Sequence, residues 1–520
     1  MKHFDGALLF ALGLSLLLSA LLAWLLAGLY RRRMLALMQT APPPRDQDPQ
    51  SEPPLHLLPA RKPVVASLAA NREAYRRLIL GLAGLAVLIG LSQSALYLTV
   101  VVPELGWGTG RWLVLGVLYA WPMVLVWGLA MRWAWGWTLI VLTLYLALTA
   151  GIVLLRSTEA QTAHGVLNLI LVTTALPVFG ALLLSGSGRI RAVAPYLFPV
   201  LFLLIVSALL SIEASRVLLV ERMPPPGWFI AVVDALGVWP TLAVVVLLPW
   251  LILAWPVYRV MAAISRAYQN KRYSDLMYLL AAYWGLVLAL ASLTAIAGEG
   301  WERGSVLLLP WLWLPAACLL ARPWLRPRSA PSTLLVLRVF QRDAEVERLF
   351  DRVIERWRLT GNTLLIAGTD LLSRTLDPDD LFTFVNGRLA GRFVSDPAQL
   401  PLRLAELDLW PDPDGRYRIN ELYCHDSTWQ PTLLALVERS DVVLMDLRGF
   451  HAKRLGCRFE LRVLAGAEHL RRVVLLYDAI TDRATAATDL SGASEGRVVW
   501  VQADRLGARK AREILASLSN

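Results

Sequence analysis

The chain has 520 residues, 56% of them hydrophobic, a mean hydropathy of +0.52 and a formal net charge of +11. A soluble chain of this length sits nearer half apolar, and here the excess is gathered into uninterrupted runs before about Ser329, which excludes a wholly soluble protein. The positive charge is not a nucleic-acid signal, because most basic residues flank those runs, where charge sets membrane orientation; no nucleic-acid partner is expected.

The first apolar stretch, Gly6 to Tyr30, is longer than a signal-peptide core of about 7–15 residues. Arg31, Arg32 and Arg33 follow it directly, so residues 1–30 are expected to be a retained transmembrane anchor. Residues 31–77 are expected to form a flexible cytoplasmic linker, on the strength of the proline clusters and scattered charges between Ala41 and Pro63. Residues 78–326 then read as a multi-span region of about eight helices. Runs near the ~20 apolar residues needed to cross a bilayer lie at 78–102, 112–131, 134–155, 165–184, 194–212, 229–256, 277–298 and 305–321. With the anchor, this makes nine spans.

Loop charge fixes an expected orientation. With the N-terminus outside, the inside loops hold Arg31–Arg33, Arg45, Arg61, Lys62, Arg72, Arg76, Arg77, Arg132, Arg189, Arg191, Arg259, Arg266, Lys271 and Arg272, and then Arg322, Arg326 and Arg328. The outside segments hold only Lys2, Arg111, Arg156, Arg216, Arg222 and Arg303. The expected location is therefore a bacterial plasma membrane, with the C-terminal domain in the cytoplasm. Asp234 is the acid that lies clearly within a span, and Asn168 is the other notable polar residue there. One acid is thin support for an ion path.

After Pro331 the pattern changes to short apolar strands alternating with amphipathic helices. Strands are expected at Thr333–Phe340, Thr363–Ala367, Asp441–Leu447, Arg472–Tyr477 and Arg497–Gln502. Helices are expected at Asp343–Leu359, Thr432–Val437, Cys457–Leu464 and Ala508–Leu518. This alternation predicts a parallel sheet covered on both faces, with a ligand crevice at the carboxyl ends of the strands where strand order reverses. Between about 370 and 430 the rhythm breaks. An extra helix is expected at Leu381–Phe393, and the DG turn in PDPDGRYRINELYC suggests a hairpin. The three cysteines, Cys318, Cys424 and Cys457, offer no CxxC and no Cys/His pair at zinc spacing, so neither a metal site nor a disulfide framework is expected.

In SDVVLMDLRGFHAKRLGCRFEL a strand ends in Asp446, a loop with Arg448 and Gly449 follows, and a helix opens with Gly456, Cys457 and Glu460. The segment resembles the third strand and following helix of TIR (Toll/interleukin-1 receptor) domains, where a WCxxEL-like sequence opens the helix; here Gly replaces Trp. VLRVFQRDAEVERLF is similar to their first strand and helix, with Asp343 in the place of the acidic residue. The same stretch is similar to nucleoside 2-deoxyribosyltransferases. The resemblance covers most of residues 330–520 in element order, is specific over about twenty residues, and leaves the insertion at about 370–430 outside both families.

The resemblance implies a flavodoxin-like, TIR-like α/β domain in which Glu460 serves cleavage of an N-glycosidic bond to a ribose-type sugar. A carboxylate beside the anomeric carbon can stabilise an oxocarbenium-like transition state, accept a sugar hydroxyl or attack. At the start of a helix, the dipole favours its ionised form. Phe340 and Arg342 are candidates to hold nicotinamide and phosphate, and Arg448 to reach a phosphate. Asp343, Asp446, Cys457, His425, Asp426 and Trp429 complete the candidate substrate site. The bland readings stand beside these: a core Phe, a solvated loop Arg, a helix-capping Asp426 and a solvated helix-start Glu460.

The first expected function is a membrane-tethered TIR-like effector that cleaves NAD or a related nucleotide at the nicotinamide–ribose bond. In that reading NAD is substrate rather than cofactor, and the chain works as a homo-oligomer in a lipid bilayer. The second is a non-catalytic receptor or adaptor that binds partners or nucleotides, and the third is a transporter with a regulatory domain.

Overall fold

The structure, a computed structural model, describes residues 2–39, 64–131, 133, 135–156, 197–218, 224–338, 343–367, 383–425, 427–494 and 496–519. The chain divides into two compact units.

The first unit is helical. Its helices are α1 (Lys2–Gln39), α2 (Leu68–Leu96), α3 (Thr109–Tyr119), α4 (Pro122–Ala130), α5 (Trp135–Arg156), α6 (Phe198–Arg216), α7 (Gly227–Leu236), α8 (Val238–Gln269), α9 (Asp275–Glu299) and α10 (Trp313–Leu325). Both α1 and α2 run across the boundary between the units, and the end of α10 belongs to the second. Among the described residues seven helices are long and apolar enough to cross a membrane, or eight if α3 and α4, bent by 42°, form one broken span. The bend sits where Pro122 opens α4. The expected run at 165–184, with Asn168, lies outside the described residues. Pro249 and Pro256 lie inside α8, which continues as one helix through both. Asp234 lies on α7, a short apolar helix that Gly237 ends at φ +86°.

The second unit holds a seven-stranded, all-parallel sheet. In chain order its elements are β1 (Leu334–Arg338), α11 (Asp343–Leu349), β2 (Thr363–Ile366), β3 (Phe393–Val394), α12 (Leu400–Ala405), β4 (Ile419–Cys424), α13 (Trp429–Glu438), β5 (Val442–Asp446), α14 (Leu455–Gly466), β6 (Arg472–Tyr477), α15 (Arg483–Asp489), β7 (Val498–Gln502) and α16 (Ala508–Ser519). The strand order is β3-β4-β2-β1-β5-β6-β7, so order reverses between β1 and β5. There Arg338 is the register partner of Asp446.

Strand alternation divides the core into two layers. Leu335, Leu337, Val443, Met445, Val473 and Leu475 pack with Leu433, Leu436, Leu461 and Leu464 of α13 and α14. Leu334, Val336, Val442, Leu444, Val474 and Leu476 pack on the other face with Val346, Leu349, Trp357, Ile514 and Leu518. Central strands buried on both sides explain their continuous apolar runs.

Two expectations in the insertion are corrected. Ile419–Cys424 is not half of a hairpin; it pairs in parallel with β2 and β3 inside the main sheet. The DG turn is real but local: the Gly415 N–H, at φ +81°, donates to Asp412 O at 2.9 Å, and Arg416 and Arg418 bind Asp414 and Asp412. The expected helix over 381–393 is broken at Gly387, at φ +71°, and its last residue begins β3; Leu381 and Phe382 lie outside the described residues.

The expected linker at 31–77 is helical at both described ends, with α1 running to Gln39 and α2 starting at Leu68. Only 40–63 lies outside the described residues.

Candidate functional site

The candidate residues lie at the carboxyl ends of β1, β4 and β5 and in α14. β5 ends in Asp446, and the chain turns at Gly449, whose φ of +76° suits glycine. The Gly449 N–H donates to Asp478 Oδ1 at 3.1 Å, which ties the turn to β6.

Asp446 and Arg448 form a closed clasp. Arg448 donates through Nε to Asp446 Oδ1 at 2.8 Å and through Nη2 to Oδ2 at 2.6 Å. Its Nη1 reaches Glu345 Oε2 of α11 at 3.1 Å. Both side chains are buried, so this guanidinium is committed to two carboxylates rather than turned toward a phosphate. The clasp fixes β5 against α11.

Glu460 belongs to the opposite layer. It shares a face of α14 with Cys457, Leu461 and Leu464, the face that packs on the sheet. It is 7% exposed, and its Oε2 has no hydrogen-bond partner among the described residues. Burial pushes its carboxyl up to about 8, against the opposing pull of the Arg338 guanidinium. The expectation of an ionised helix-start carboxylate is therefore reversed. The dipole acts within the first turn, Glu460 is the sixth residue of α14, and desolvation outweighs it. At neutral pH this group holds a proton.

Arg338 was not among the expected site residues. It is 3% exposed at the carboxyl end of β1, where strand order reverses. A single Arg closing an otherwise apolar strand, LLVLR, is the signal that points to it.

Trp429 opens α13 and stands edge-on to Phe459 of α14, with ring centroids 5.5 Å apart. A Cβ added at Gly456 would lie 3.8 Å from the Trp429 ring. The aromatic group beside the start of α14 thus comes from α13, although position 456 is a glycine.

His425 stands apart from this group. His425 follows β4, two strands away from β1, with its ring 5.1 Å from Phe393 of β3. Its Nδ1 is buried without a hydrogen-bond partner among the described residues. Cys457 is buried, and desolvation first, then Glu460, push its thiol up to about 12; burial pushes Cys424 up to about 11. Neither is a ready nucleophile at neutral pH. Asp343 opens α11, while Phe340, Arg342 and Asp426 lie outside the described residues.

The raised carboxyl has a stability consequence. Between its unfolded value near 4.5 and its folded value of about 8, the folded state holds a proton that the unfolded state has lost. Stability contributed at Glu460 is therefore greatest below 4.5 and falls as pH rises toward 8. At ~1.4 kcal/mol per pKa unit, the full change is on the order of 3–5 kcal/mol. Glu460→Gln should remove it. Unfolding of the detergent-solubilised full chain at pH 5 and pH 8.5 should show the variant gaining on wild type at the higher pH. An unchanged difference would contradict the burial of this carboxyl.

A scan of protein-family models, a search of curated proteins and a search of solved structures each found no match to this chain.

Proposed function

We propose that this protein is a membrane-tethered, TIR-like effector whose C-terminal unit cleaves the nicotinamide–ribose bond of NAD or a related nucleotide, with Glu460 as the essential carboxyl group. The observation that carries this reading is a buried Glu460, its Oε2 without a hydrogen-bond partner among the described residues, under the influence of Arg338 at the point where strand order reverses. That point is where open parallel sheets bind ligands. Strands β2-β1-β5-β6-β7 follow one another in the sheet as 2-1-3-4-5 do in a flavodoxin-like order, and β4 and β3 extend it beyond β2. This supports the flavodoxin-like assignment.

In the proposed reaction the oxygen of water bonds to the anomeric carbon as the C–N bond breaks. The bonding pair leaves with nicotinamide, which becomes neutral, and the water releases a proton. A pyridinium cation entering the crevice would offset the desolvation that keeps Glu460 protonated and return it to the anion, which then faces the oxocarbenium charge. With a neutral nucleoside the protonated carboxyl would instead deliver a proton to the departing base. A substrate panel tests the reading: the full chain is incubated with NAD, NADP, a ribonucleoside and a deoxyribonucleoside, and free base is measured. Nicotinamide from NAD or NADP is expected. Base from the nucleosides alone would move the assignment to the deoxyribosyltransferase side, and no base from any would leave an adaptor. The adaptor reading draws its support from the burial of Glu460 itself.

Loop charge supports an outside N-terminus and a cytoplasmic C-terminal unit, where NAD is plentiful. Reporter fusions after Arg33, Arg156, Arg272 and Asn520 are expected to read inside, outside, inside and inside. An outside reading at Asn520 would overturn the orientation.

A further inference from the structure

Residues 64–81 do not behave as a spacer. The Val64 N–H donates to Asp441 Oδ1 at 3.0 Å, while the other oxygen of that carboxylate accepts from Thr333 N–H at 2.7 Å. One buried carboxylate therefore joins this segment to the residue before β1. Ala66 is buried in the core layer that contains Trp357.

The first turns of α2 continue the attachment. Asn71 is 3% exposed, and its Nδ2 donates to Arg356 O and to Thr360 Oγ1, each at 2.7 Å. One turn on, the Tyr75 ring lies under the Arg356 guanidinium, 3.4 Å from ring centroid to Cζ. Asn71, Tyr75 and Leu78 fall at i, i+4 and i+7, one face of the helix. On a neighbouring face the buried Arg77 donates to Trp324 O at 2.6 Å, and a Cβ at Gly81 would lie 3.2 Å from the Trp324 ring. All of these partners belong to the second unit. The helix that carries them runs unbroken to Leu96 and supplies a candidate membrane span.

We propose that residues 64–81 are a strap which makes the second membrane helix the handle of the α/β unit, so that rotation of α2 is delivered to residues 350–362. A continuous helix is stiff in rotation, whereas a Gly-rich joint is not. The strap grips the segment that leads from α11 into β2, and through Asp441 it also grips the start of β1. Asn71 and Tyr75 act on Arg356 and Thr360, whereas Val64 and Ala66 reach the residue before β5 and the core layer that β5 and β6 share. The inference is independent of catalysis and stands whether the site is an enzyme or an adaptor.

Hydrogen exchange on the full chain in nanodiscs tests it without an activity readout. Asn71→Ala combined with Tyr75→Ala removes two hydrogen bonds and the ring contact. Exchange in peptides covering 350–362 is expected to rise at least about tenfold, with peptides covering β5 and β6 unchanged. One Ala inserted between Gly84 and Leu85 leaves every strap residue in place and turns the helix by about 100°. It is expected to raise exchange at 350–362 in the same way, while three Gly inserted at that point are expected to leave it within about twofold of wild type. Unchanged exchange in the double variant would overturn the strap, as would a uniform rise across the whole sheet. Equal behaviour of the Ala and Gly insertions would overturn the handle.

Discussion

Glu460→Gln is expected to abolish release of nicotinamide while leaving the fold intact. The amide matches the protonated carboxyl in size and shape, and the wild-type group is already neutral at pH 7, so packing on α14 should be preserved. What the amide cannot do is carry charge or exchange a proton. Losing one acid–base or electrostatic group costs roughly 10²–10⁴-fold in rate. Rates should be measured with saturating NAD on full-length protein, with exchange protection of β5 and β6 as the folding control. A variant that folds and keeps the wild-type rate would remove Glu460 from the chemistry.

Arg448→Met is expected to destabilise the α/β unit severely. Both oxygens of Asp446 accept from this one guanidinium, and Glu345 accepts from its remaining arm. Removing it leaves the buried Asp446 uncompensated, which typically costs about 3–5 kcal/mol. Adding Asp446→Asn removes the orphaned charge and should recover a large share of the loss. Chemical denaturation of the three variants separates these terms. A loss below about 1 kcal/mol for Arg448→Met would place the pair in the class of solvent-screened surface bridges.

The parts of the fold legible in the sequence are those where one physical effect dominates. Leu334–Leu337, Val442–Met445 and Val473–Leu476 are apolar because both sheet faces are covered, and the run alone locates the strand. β3 is two residues long, which is too short for periodicity to register. In β4, INELYC mixes polar and apolar residues because Asn420 bonds within the insertion, to the Asp408 backbone on both sides. The strap was hidden by composition: Asn71, Tyr75 and Arg77 look like a solvated helix start until their distant partners are known.

The same contrast holds at the site. Glu460 was reached through the local GCRFEL pattern, but its protonation was not, because burial is a property of the packed layers. Asp446 and Arg448 were singled out as ligand contacts, yet they satisfy each other and Glu345. A sequence cannot distinguish an Arg that waits for phosphate from one that already has two carboxylates. Arg338 was passed over because the expected strand ran on to Phe340, which left it as one charge inside an apolar run.

A single-turnover measurement decides whether this unit breaks the nicotinamide–ribose bond, as proposed. Full-length protein in nanodiscs, in excess over NAD, is incubated and the products are separated by chromatography. Excess enzyme reveals the bond cleavage even when turnover is slow. The predicted result is free nicotinamide and ADP-ribose in equal amounts, approaching one of each per NAD supplied, with the Glu460→Gln protein leaving NAD whole. Intact NAD after prolonged incubation with folded wild-type protein would overturn the proposed activity.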